Sequence, residues 1–95
     1  MTVNALPKML KTLLENDRVR VSEFRAQPGE ETGLHLHPSN VIYPFTDGLL
    51  KLTFKDGRSE TIELKTGEPL FRSEEWHSAG NVGQREVRAL VVDLK

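Results

Sequence analysis

The sequence predicts an all-β fold, a sandwich or small barrel of eight or nine short strands. Three observations predict it. From Arg18 onward, runs of four to eight residues are rich in apolar and β-branched side chains. Turn signals separate these runs at close, even spacing. No convincing helical pattern follows residue 16. Strand following strand in this way excludes a βαβ organisation. The 95 residues fit one domain, 1–95, with an N-terminal arm over about 1–16.

In the arm, Leu6, Met9, Leu10, Leu13 and Leu14 fall at helical spacing, with Asn4 placed to cap and Pro7 in the first turn. A helix is the expectation there, and an edge strand over 11–14 is the alternative. Asn16-Asp17 is a turn signal. Val19 and Val21 then alternate with polar residues, and Phe24 and Ala26 take the opposite parity, which predicts a bulge near Glu23 or burial on both faces. Pro28-Gly29 ends that strand. Val41-Ile42-Tyr43-Pro44-Phe45 contains a proline that cannot donate to a ladder, so this strand is expected at an edge or bent. Asp47-Gly48 and Asp56-Gly57 are hairpin signals, with Leu50, Leu52, Phe54, Ile62 and Leu64 as the core faces beside them. Thr66-Gly67 turns the chain again, and Val87, Ala89, Leu90, Val91, Val92 and Leu94 form the closing strand.

Composition narrows the function. Thirteen basic and 14 acidic side chains are well mixed at a net charge of −1, so the basic stripe of a nucleic-acid binder is missing. With no cysteine, disulfides, thiolate metal sites and a cysteine nucleophile are excluded. No apolar run reaches membrane-spanning length. Lys8, Lys11 and Glu15 interrupt what would be a signal peptide, leaving the cytoplasm as the expected location. A core of this size is thin, which makes a homodimer the expected assembly.

The chemistry concentrates in Gly29-Glu30-Glu31-Thr32-Gly33-Leu34-His35-Leu36-His37. On a strand, alternate side chains share a face, so His35 and His37 can grip one metal ion while Leu34 and Leu36 pack on the other side. The one remaining histidine, His77, precedes another glycine-containing turn. Taken alone, a His-x-His pair is more often a surface or core pair satisfied by hydrogen bonds.

Gly29, five residues and then His35-Leu36-His37, continuing to Gly48, resembles the first motif of the cupin superfamily. The stretch from Gly67 to His77 and Asn81 resembles the second. Glu15-Asn16-Asp17-Arg18-Val19-Arg20-Val21, Pro28-Gly29-Glu30-Glu31-Thr32-Gly33, Pro44-Phe45-Thr46-Asp47-Gly48 and Gly67-Glu68-Pro69-Leu70-Phe71-Arg72 are similar to small single-domain cupins of the β-alanine degradation type. The resemblance implies a double-stranded β-helix, the jelly-roll barrel, with His35, His37 and His77 as ligands of one divalent ion (Zn, Fe, Ni, Cu or Mn) inside its mouth. It also implies a dimer that exchanges or pairs edge strands.

Two departures stand out. Val41 and Ile42 occupy the positions of the usual motif glutamate, and Ser73-Glu74-Glu75-Trp76 replaces the usual Pro-x-Gly stretch one residue short. Three neutral imidazoles would leave a divalent site at +2, favouring an anion in its open position. Affinity for the ion should fall below about pH 6 as ligands protonate.

Other residues carry paired readings. Glu75 or Asn40 is a substitute ligand, though Glu75 reads more simply as a solvated turn residue. Tyr43 and Trp76 line a pocket or belong to core or interface. Arg72 holds a substrate carboxylate or is a surface charge. Glu30-Glu31 is an exposed acidic turn, and Asn81 satisfies backbone groups. No general base appears at fixed spacing, nor does a His–Asp pair. The expected function is a metal-dependent enzyme on a small organic acid. The alternative is a non-catalytic cupin that binds a small ligand, with a degenerate or empty metal site.

Overall fold

The computed structural model describes residues 8–95, and these form two antiparallel sheets. The strands are β1 (Leu10–Glu15), β2 (Val19–Ala26), β3 (His35–His37), β4 (Asn40–Pro44), β5 (Gly48–Phe54), β6 (Ser59–Leu64), β7 (Leu70–Arg72), β8 (Glu75–Asn81) and β9 (Val87–Leu94). One sheet runs β1-β2-β9-β4-β7 and the other β3-β8-β5-β6. No helix occurs among the described residues.

The arm departs from its helical expectation where it can be followed. Residues 10–15 pair with β2 as an edge strand, and residues 1–7 lie outside the described part. The register slips between Thr12 and Leu14, and this bulge gives Leu10, Leu13 and Leu14 a helix-like spacing in a strand. Asn16 closes the β1–β2 turn, its Oδ1 accepting from the amides of Arg18 and Val19 at 2.8 and 2.9 Å.

The bulge expected near Glu23 is absent, because β2 pairs with β9 without interruption from Val19 to Ala26. Ser22, not a valine, takes the inward position before Phe24 and Ala26, so Val19 and Val21 face outward. Pro44 does not mark an edge either. β4 lies between β9 and β7, and β7 stops at Ile42, two residues before the missing donor would matter. Asp56-Gly57 does turn a hairpin, with Gly57 at φ 91°. Asp47-Gly48 instead carries the chain from one sheet to the other. Leu34 is exposed and does not pack as expected.

Between the sheets, Phe24, Ala26, Leu50, Leu64, Val87 and Val91 form the core, with Met9, Leu10, Ile42, Ile62 and Leu70 against it. Gly48 sits where the chain enters β5, and a Cβ there would stand 2.6 Å from Cγ2 of the fully buried Val87. Gly48→Ala should therefore cost about 1–3 kcal/mol by overpacking. Gly33→Ala, with open space around its Cβ, should stay within about 0.5 kcal/mol. Urea unfolding of the two variants tests the contrast, and equal midpoints would refute it.

Cross-strand register sets up the site. The inward residues Arg20, Asp93, Asn40 and Arg72 make one polar row across β2, β9, β4 and β7. In the opposite sheet, His35 pairs with His77 and His37 with Glu75. The segment before β3 is fastened to β8 by Gly29 N–H to Asn81 O at 2.9 Å and Thr32 N–H to Ala79 O at 2.8 Å. This lays the two histidines beside the third.

Candidate metal centre

Side-chain nitrogens of His35, His37 and His77 lie within 4.8 Å of one another, and the ring centroids are 5.0–5.4 Å apart. Each ring is tied by one nitrogen to an oxygen that can only accept. His35 Nδ1 donates to Gly33 O at 2.8 Å, His37 Nε2 to Asp93 Oδ1 at 3.0 Å, and His77 Nδ1 to Glu75 Oε2 at 2.7 Å. Those acceptors fix the protons, leaving His35 Nε2, His37 Nδ1 and His77 Nε2 as bare lone pairs. Two of them, His37 Nδ1 and His77 Nε2, face each other at 3.3 Å.

Facing lone pairs repel unless something positive sits between them. Two nitrogens bound tetrahedrally to one ion at about 2.0–2.1 Å would stand ~3.3–3.4 Å apart, so the spacing suits a shared cation. The donor set thus fits a divalent first-row metal.

Protons compete poorly for the same place. Burial is the main cause that lowers the His77 pKa to about 4, against the opposing hydrogen bond to Glu75, and burial lowers His35 as well. Both rings are thus neutral at pH 7. The onset of acid competition expected near pH 6 therefore moves lower for these two. In the metal-free protein, the unfolded chain protonates this ring below about pH 6.5 while folded His77 stays neutral to about 4. Stability should be full above that window, decline as pH falls through it and level off below. Thermal midpoints between pH 7 and 4.5 check this, and a midpoint rising on acidification would contradict it.

Two carboxylates complete the surroundings: Asp93, which the sequence does not single out, and Glu75, which it offers as a substitute ligand. Asp93, 3% exposed, holds His37 and also accepts from Arg20 Nη2 at 3.3 Å. A His–Asp pair thus exists, made by β3 and β9, which are 56 residues apart at the contact. Glu75 is no solvated turn residue. It lies half-buried on β8, bound by His77 and by Arg72 Nη2 at 3.0 Å. Burial alone would raise the Glu75 carboxyl, but hydrogen bonds from His77 and Arg72 hold it below the usual glutamate range. Arg72 is likewise no free surface charge, since it bridges Glu60 and Glu75. With a divalent ion bound, these carboxylates would compensate in part the +2 expected for three histidines alone, through the rings and not by direct contact.

Ile42 faces inward at the missing-glutamate position, while Val41 faces out. Asn81 binds the carbonyls of Ala26 and Arg85 and the amide of Gly83, a structural role as expected. Glu30 and Glu31 are exposed. Neither Tyr43 nor Trp76 lines the cavity beside the histidines; Tyr43 packs edge-on to Phe45, and Lys55 Nζ sits 4.8 Å over the Trp76 ring. That cavity, about 40 Å³, is walled by Leu10, Phe24, Leu50, Leu52, Ile62 and Val91 among others.

Residues 22–93 match the cupin domain family. A beta-alanine degradation protein, BauB of Pseudomonas aeruginosa, is 34% identical over 92 residues, covering 94% of this chain and 96% of that protein. A cupin domain from Bordetella pertussis has 34% identity and a TM-score of 0.82 over 90% of this chain and 91% of that one. The polyketide cyclase RemF of Streptomyces resistomycificus has 28% identity and a TM-score of 0.63, covering 90% of this chain and 65% of its own.

Proposed function

The chain belongs to the cupin domain family, and from that premise we propose that it is a metal-dependent enzyme acting on a small organic acid. His35, His37 and His77 would hold the ion through Nε2, Nδ1 and Nε2. The facing lone pairs of His37 and His77, 3.3 Å apart with both outer nitrogens committed to carboxylates, carry this reading. When bound, a metal there supplies a Lewis acid for a carboxylate or a water. Glu75 and Asp93 keep the ligand tautomers, and Arg72 and Arg20 keep those carboxylates in place. The apolar wall beside the histidines excludes bulk water. A relative named for β-alanine degradation supports a short carboxylic acid as the substrate class.

One observation favours a second reading, a cupin that binds its ligand without turnover. Glu75 and Asp93 are each already engaged by an arginine and a histidine, so neither is a free general base. Elemental analysis of tag-free protein purified without chelators tests the metal, with about one equivalent expected. Consumption of short-chain acids by the loaded protein then separates the two readings, since binding without turnover selects the second.

The working unit is proposed to be a homodimer. On the outer face of the five-stranded sheet, Leu14, Val21, Val92, Val41 and Phe71 align in one row across every strand. Leu90, Tyr43, Val19 and Leu94 lie beside them on the same face. Five strands at ~4.8 Å and about five residues at ~3.3 Å give a patch of roughly 400 Å² in plan. A patch of that size is about as large as the largest on a typical monomer, and such patches are often functional. A second copy related by a two-fold axis would cover it with its own identical row.

A further inference from the structure

We propose that Asn40 orients the bound ligand, its Oδ1 accepting a hydrogen bond from an O–H or N–H of a short acid with a single negative charge. This rests on the metal reading above for how the carboxylate is held. Asn40 is 1% exposed and lines the cavity with the three histidines. Its Nδ2 donates to Pro38 O at 2.8 Å, which fixes which end of the amide is the acceptor. Among the described residues Oδ1 has no partner, although it is buried. Buried carbonyl oxygens are as a rule paired, so this orphan, on a residue that lines the cavity, selects for a donor that reaches it from that cavity.

The neighbours on its row offer nothing. Asp93 is bound to Arg20 and His37, and Arg72 to Glu60 and Glu75.

The rest of the wall defines the charge and size of the ligand. Besides the histidines and Asn40, the one polar lining residue is Thr32, whose Oγ1 accepts from the amide of Ala79. Neither lysine nor arginine lines the cavity. An anionic group can thus be met at the three histidines and nowhere else, and a second one would be buried against hydrocarbon without a partner. A volume of about 40 Å³, room for roughly three waters at the mouth, restricts the ligand to a few heavy atoms.

The test uses two isosteric probes, 3-hydroxypropanoate and butanoate, with malonate as the doubly charged control. Tag-free protein is loaded with Co²⁺, whose visible bands report metal binding separately from ligand binding. The hydroxy acid should bind about tenfold more tightly than butanoate, the worth of one hydrogen bond, and malonate should bind no better than butanoate. In Asn40→Leu the preference should vanish while the cobalt bands persist. In the zinc form of the parent protein, the Asn40 side-chain amide resonances should move with 3-hydroxypropanoate and not with butanoate.

A preference retained in Asn40→Leu overturns the proposal, as does malonate binding as tightly as the hydroxy acid. Should that variant not fold, the Asn40 resonances decide. No movement with the hydroxy acid means that water satisfies Oδ1, and the proposal fails. If cobalt is not taken up, the metal reading fails, and the same resonances in metal-free protein decide the Asn40 contact alone.

Discussion

His77→Ala should lower affinity for a divalent metal by at least about a hundredfold, with stoichiometric binding lost at micromolar concentrations. Its Nε2 faces His37 Nδ1 at 3.3 Å, and no other side chain on β8 can replace it, because Glu75 points its carboxylate at Arg72 and at the far side of the same ring. His35→Ala and His37→Ala should do the same. Glu75→Gln and Asp93→Asn should cost less, about 10–100-fold, since they loosen ring orientation without removing a ligand. Asn81→Ala should spare affinity and lower stability, because its three bonds go to backbone. Calorimetric titration of the tag-free variants with Zn²⁺ checks the order. If His77→Ala binds as tightly as the parent protein, the three-histidine centre is wrong.

If the proposed homodimer forms through this face, Val92→Glu should leave the protein monomeric, weakening association by about a hundredfold or more. Val92 is central in the apolar row, flanked by Val21 and Val41, so two-fold pairing would bury its carboxylate against hydrocarbon from the other copy. Leu49→Glu, on the outer face of the other sheet, should leave the proposed association unchanged. Sedimentation velocity at tens of micromolar separates the two outcomes. A monomeric parent protein, or an unchanged Val92→Glu dimer, would refute this interface.

Most strands and the His35–His37 pair were legible because their signals are local, whereas His77 was joined to that pair through the resemblance to the second cupin motif. Asp56-Gly57 makes a hairpin wherever it stands between two strands, and His35 and His37 share a face by the pleat alone. What depends on pairing between distant strands was not legible. Asp93 reads as a charge at the end of a strand, and only the register that sets it opposite Arg20 and beside Asn40 brings it to His37. Asp47-Gly48 shows the same limit, since its turn chemistry is that of a hairpin although the next strand belongs to the other sheet. In the arm, a bulged edge strand and a helix place leucines at similar intervals, and pairing with β2 decides between them.

β3 carries two of the three histidines on three residues, and β8 is its one neighbour in the sheet. Short edge segments of this kind open at far lower free energy than the whole domain. Each such opening swings His35 and His37 away together and leaves His77 behind on an interior strand. Residence time of a bound ion would then follow the fraying of this edge and not the strength of any one coordinate bond. Conversely, an ion in place would clasp the edge to β8, so amide hydrogen exchange at Leu36 should slow on loading far more than exchange in β5, which is already flanked on both sides.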